Sequence, residues 1–196
     1  ALLALTISAF AIGTTEFVIV GLVPTIAEQL AISLPSAGML VSIYALGVAI
    51  GAPVLTALTG KLPRKQLLLA LMVLFTIGNL LAWQAPGYAT LVVARLLTGL
   101  AHGVFFSIGS TIATSLVPKE KAASAIAIMF GGMTVALVTG GPMGTFIGQH
   151  FGWRETFLAV SLLGVIALIA SAVLIPRNIP GRAPASLADQ VKVLTH

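Results

Sequence analysis

The chain is built from long apolar runs separated by short polar, turn-rich segments. Six runs fall at about 2–25, 36–59, 66–84, 89–116, 122–148 and 154–175. Their separators are Ser33-Leu34-Pro35-Ser36, Lys61-Leu62-Pro63-Arg64-Lys65, Ala85-Pro86-Gly87-Tyr88, Pro118-Lys119-Glu120-Lys121 and His150-Phe151-Gly152-Trp153-Arg154, which carry the Pro, Gly and Ser punctuation of loops. A helix needs about 20 residues to cross ~30 Å of hydrocarbon, so each run is long enough to span a bilayer. None alternates with period two, which excludes a barrel and leaves helices as the way to satisfy the backbone in lipid. The pattern predicts an all-α, polytopic membrane protein: a six-helix transmembrane bundle over 1–175, then a cytoplasmic linker over 176–196. Within that linker, Ser186-Leu187-Ala188-Asp189 resembles a helix start. Leu187, Val191 and Leu194 would share one face of a short amphipathic helix.

Composition sharpens this picture. Of the 196 residues, 58% are hydrophobic and 8% charged, against about 25% charged in soluble domains. The net charge of +5 reports topology, and no nucleic-acid partner follows from it. Eight of the ten basic residues fall on one side: Lys61, Arg64, Lys65, Lys119, Lys121, Arg177, Arg182 and Lys192. The positive-inside rule makes that side cytoplasmic and puts the N-terminus inside, in the plasma membrane (a bacterial inner membrane). Trp83, Tyr88 and Trp153 gather at the opposite boundary, as an aromatic belt or as helix-end packing. There is no cysteine, hence no disulfide framework, and no metal-ligand pattern occurs. The chain begins at Ala1 and stops in a polar segment, so both ends read as cuts from something longer.

The chemistry concentrates in a few intramembrane polar groups. Glu16 lies mid-span in the first run, where an ionised acid costs at least ~2.5–3.5 kcal/mol. It reads as a group that takes up and releases a cation, most simply a proton; a locked pair or protonated spectator is the plainer alternative. Arg95, Thr98 and His102 share one face of the fourth span. Arg95 needs a carboxylate, water or carbonyls, and Glu16 is the one acid away from the ends of a predicted span, so pairing is expected. His102 could join a proton relay or simply pack. Thr15, Tyr44, Asn79 and Thr98 are expected to line a substrate cavity. In the fifth span Gly132, Ala136, Gly140, Gly144 and Gly148 follow one another at intervals of four, with Gly141-Pro142 embedded. Such a ridge lets another helix approach closely, either within the bundle or as a sliding seam against a second one. Gly51-Ala52-Pro53 echoes Gly140-Gly141-Pro142 in spans that run oppositely, which predicts two inverted three-helix repeats.

These residues resemble the N-terminal six-helix half of a major facilitator superfamily transporter, and more narrowly the twelve-helix drug and sugar efflux branch of proton antiporters. Gly13-Thr14-Thr15-Glu16-Phe17 with Gly21-Leu22-Val23-Pro24 is similar to that branch's first helix. Arg95, Gly99 and Gly103 match its helix-4 motif, and Gly132 through Gly141-Pro142 and Gly144 its helix-5 antiporter motif. Lys61, Arg64 and Lys65 match the basic part of the loop motif between spans 2 and 3, but Gly60 replaces its acid and Pro63 its glycine. Thr145-Phe146 also departs from the usual second glycine pair. The resemblance implies proton-coupled efflux of a drug, sugar or nucleoside by alternating access, with Glu16 as coupling acid and Arg95 and His102 beside it. The proton gradient would be the energy source, with no cofactor. The partners would be a small-molecule substrate, protons, the lipid bilayer and a second six-helix bundle, supplied by a missing half or by another copy. Two other classes stand beside this reading. One is a non-transporting sensor or inactive half-domain. The other is an intramembrane serine protease built on Ser107 or Ser110 with His102, which lacks any G-x-S-x-G pattern. An enzyme is not expected.

Overall fold

The computed structural model describes residues 1–59, 62–177 and 179. Lys61 and the amphipathic helix expected around Ser186 lie outside them. Six long helices follow in order: α1 (Leu2–Gln29), α2 (Leu34–Thr59), α3 (Arg64–Trp83), α4 (Tyr88–Ser115), α5 (Ala122–His150) and α6 (Trp153–Leu174). A single 3-10 turn, Lys119–Lys121, precedes α5. All six are long and apolar enough to cross a membrane. Their ends fall within a few residues of the expected boundaries, except that α1 runs on past Ala27.

The connections use local chemistry. The Ser36 amide donates to Ser33 Oγ at 3.2 Å, fixing the entry to α2. Pro63 precedes α3 in an extended conformation, and Gly152 supplies the positive φ of 97° that starts α6. Pro24, Pro53 and Pro142 sit inside helices, which membrane helices accommodate through neighbouring groups.

The helices pack as two inverted triplets. α1 lies mainly along α5 and α2 along α4, while α3 packs on both α4 and α6 and α6 on α1. Exchanging α1 with α4, α2 with α5 and α3 with α6 maps these main contacts onto themselves, and three spans per repeat make the copies antiparallel. The apolar core forms two clusters. One holds Leu5, Ile12, Leu68, Phe75, Phe105 and Met129. The other, toward the opposite end, holds Ile19, Ile26, Leu40, Leu91, Trp153 and Phe157. A band of buried polar side chains (Thr15, Asn79, Arg95, Thr98 and His102) lies between them.

Candidate functional site

Glu16 and His102 meet where α1 and α4, the first helices of the two triplets, approach. One Glu16 carboxylate oxygen, Oε2, stands 3.7 Å from His102 Nδ1, with the glutamate side chain 31% exposed and the histidine 10%. That separation exceeds hydrogen-bond reach, and Oε2 is sealed without any hydrogen-bond partner. His102 Nδ1 is instead 2.8 Å from the Tyr44 hydroxyl on α2. The imidazole continues into rings: His102 to Phe106 with centroids 4.9 Å apart, and Phe106 to Phe130 of α5 at 4.8 Å.

Arg95 does not take the place expected of it. Its guanidinium donates from Nη1 to the Thr15 carbonyl at 2.8 Å and from Nε to the Leu40 carbonyl at 3.3 Å. Its carbon lies 4.2 Å from the centroid of the Tyr44 ring. No Glu16–Arg95 ion pair forms among the described residues. The physical reason is reach: a planar fork on α4 finds two carbonyls and an aromatic face at its own level. Arg95 therefore ties α1 and α2 to α4 immediately beside Glu16, with Nη2 sealed and unpartnered.

The residues expected to line a cavity are buried instead. The Thr15 hydroxyl donates to Asn79 Oδ1 at 2.6 Å, and Asn79 Nδ2 donates back to the Phe75 carbonyl at 2.9 Å. Thr98 Oγ1 donates to the Ala94 and Arg95 carbonyls of its own helix. Short polar side chains close to a helix backbone find partners there before reaching open space. Within this bundle Thr15, Asn79 and Thr98 are therefore buried and hydrogen-bonded, and Tyr44 is equally buried.

The α5 ridge faces inward. A Cβ added at Gly132 would strike the backbone of Thr6 and Phe10; at Gly144, that of Val18; at Gly140 and Gly148, the side chains of Phe17 and Leu22. These four glycines thus seat α5 on α1 inside one bundle, the first of the two alternatives. Gly141 has nothing within 4 Å of an added Cβ, and Pro142 is exposed. They look away from α1. In the loop motif, Lys65 Nζ donates to the Ala172 carbonyl at 2.7 Å and to that of Ile175, a cation capping the end of α6. Arg64 begins α3. Trp153 is fully buried, so it packs in the core and forms no belt. Phe106 and Phe130 were not anticipated; only the i, i+4 spacing of Phe106 from His102 hinted at a shared face.

The described residues thus form an inverted six-helix bundle of membrane-spanning helices with a partly exposed acid between α1 and α4. Comparison with known proteins agrees. The Major Facilitator Superfamily model matches residues 5–195, and the chain belongs to that family. It is 53% identical over all 196 residues to the uncharacterized MFS-type transporter YtbD of Bacillus subtilis (strain 168), covering 50% of that protein. It is 49% identical over 183 residues to the inner membrane transport protein YdhP of Escherichia coli (strain K12), covering 93% of this chain and 47% of that one. The putative transporter AraJ of the same strain is 36% identical over 98% of this chain and 49% of its own length. The chain thus spans about half the length of the curated relatives it matches. A crystal structure of the peptide transporter POT in complex with alafosfalin shares the fold, with a TM-score of 0.78 at 16% identity, over 99% of this chain and 43% of that one.

Proposed function

We propose that this bundle is half of a secondary active transporter that exports a small organic molecule in exchange for protons. It would work in a bacterial inner membrane with its N-terminus in the cytoplasm, against a second six-helix bundle. The substrate would be a drug, sugar or nucleoside, and the proton gradient supplies the energy without a cofactor. Glu16 is the group that exchanges the proton. Arg95 and His102 set its surroundings.

One observation carries this reading: Glu16 is the acid at the centre of the bundle, partly open, with a carboxylate oxygen that no protein group satisfies. A neighbouring cation favours an ionised carboxylate, whereas loss of solvent favours the neutral acid. A rocking motion that alternates those surroundings turns proton binding and release into a vectorial cycle. The class of the relatives supports transport as such.

The test is flux in vesicles with an imposed proton gradient, comparing the natural protein with Glu16→Gln. The variant keeps the side chain's shape and loses the ionisable group. Gradient-driven exchange is expected to disappear while the protein still inserts and folds. Undiminished exchange in the variant would remove Glu16 from the mechanism, and no flux by the natural protein would favour the non-transporting reading.

A further inference from the structure

The proposed function gives Glu16 its proton but assigns no task to the bond between Tyr44 and His102. We propose that Tyr44 is a positioning residue that holds His102 as the neutral Nε2–H tautomer, so that the imidazole keeps its one hydrogen on the nitrogen that Tyr44 does not occupy. The Glu16 carboxylate stays on the Nδ1 side of the ring, 3.7 Å away, and the Nε2–H is left as the donor that water or a ligand's acceptor would meet. The inference rests on the reading of Glu16 as a working site group, but its test is independent of transport.

The tautomer follows from which atom can donate. Tyr44 Oη and His102 Nδ1 are 2.8 Å apart, so one of them donates. The hydroxyl has a single hydrogen, and among the described residues it meets no other acceptor. If Nδ1 carried the proton, the tyrosine hydrogen would remain without an acceptor inside the bundle, a state that buried hydroxyls avoid. The hydroxyl therefore donates, Nδ1 accepts, and the ring's own hydrogen sits on Nε2. That nitrogen makes no bond to the protein and is absent from the sealed, unpartnered atoms, which are Glu16 Oε2, Arg95 Nη2, Trp153 Nε1 and Thr156 Oγ1. It therefore keeps some accessible surface.

Tyr44 is held so that it cannot readily release the imidazole. Its ring is buried and lies under the Arg95 guanidinium at 4.2 Å, and that guanidinium is bonded to the carbonyls of Thr15 and Leu40. The ionisable groups around His102 are Glu16 from α1, Tyr44 from α2 and, on its own helix, Arg95. From α5 the aromatic row brings only Phe130, through Phe106. Glu16 at 3.7 Å is too far to compete with Tyr44 for Nδ1.

The experiment is 15N-histidine NMR of the protein in lipid nanodiscs. The chain has three histidines, so a background carrying His150→Gln and His196→Gln leaves His102 as the one observed ring. At a pH where the ring is neutral, the unprotonated nitrogen is expected to be Nδ1. Tyr44→Phe is expected to spread the population over both tautomers, and Glu16→Gln is expected to leave the natural tautomer in place. A natural protein with its proton on Nδ1 would overturn the proposal, and that spectrum decides even if Tyr44→Phe fails to fold. An unchanged tautomer in a folded Tyr44→Phe, or a swapped one in Glu16→Gln, would also overturn it. Because no outcome depends on flux, a failed Glu16 transport test stays separable from a failed tautomer assignment.

Discussion

Arg95 shows how one buried cation can organise a site without pairing to its acid. Its two carbonyl bonds and its stacking on Tyr44 require a planar group with separated donors, a geometry lysine lacks. Arg95→Lys keeps the charge and loses at least one of those bonds. A hydrogen bond to a charged group contributes about 1.5–3 kcal/mol, so the variant is expected to unfold that much more easily in detergent titration, and unchanged stability would mean the fork is not holding α1 and α2. The candidate site was legible in the sequence, because an acid, an arginine and a histidine inside apolar spans are rare and costly. Its wiring was not. Periodicity places Arg95, Thr98 and His102 on one face of α4, but it cannot say that the Thr15 and Leu40 carbonyls come closer than Glu16. Nor can it say that the hydroxyls of Thr15 and Thr98 turn back on the bundle.

Elements were the most legible level, since a run of lipid-soluble residues ends where punctuation begins. Their faces were harder to read. The four-residue spacing of the α5 glycines predicted close approach of a backbone, and the close partner is α1. The same spacing suits a seam between bundles equally well, so only the fold decides. The two kinds of glycine in α5 now make opposite predictions. Gly144→Ala pushes a methyl into the backbone of Val18, and overpacking of this kind costs about 1–3 kcal/mol. Gly141→Ala enters open space and is expected to leave stability unchanged. Parallel unfolding titrations of the two variants check both. Equal losses would contradict the placement of α5 on α1. Trp153 teaches the same lesson: its position at a span boundary suggested a belt, yet its indole turns inward beneath the Arg154 guanidinium, 4.2 Å away, and packs on Phe157.

At the scale of the whole molecule, the inverted repeat explains why the site lies where it does. Gly13 abuts Ala136 of α5, and Gly99 abuts Gly47 of α2. Ala136 and Gly47 stand at the same distance before Pro142 and Pro53, so Gly13 and Gly99 are counterparts. Three residues beyond each stand Glu16 and His102. The acid and the imidazole thus occupy equivalent places on equivalent helices, and the pseudo-twofold relation brings them to 3.7 Å. A group at that crossing point is near mid-membrane from either side, where an alternating-access site belongs. The same architecture ties the side of every connection to that of the first, because each helix reverses direction. Among the described basic residues at or near helix ends, Arg64, Lys65, Lys119, Lys121 and Arg177 gather at one end. Arg154 lies at the other, donating to the Ala85 carbonyl at 2.9 Å. Under the proposed orientation, with the N-terminus in the cytoplasm, the α4–α5 connection would lie in the cytoplasm and the α3–α4 connection outside. The chain has no cysteine, so single reporters need no background removal. Gly87 has extended backbone and open space around an added Cβ, so Gly87→Cys introduces no strain, and Glu120 is exposed on the other connection. In intact cells a membrane-impermeant maleimide is expected to label Gly87→Cys and to spare Glu120→Cys until the cells are opened. The reverse pattern would invert the bundle in the membrane and place the basic end outside.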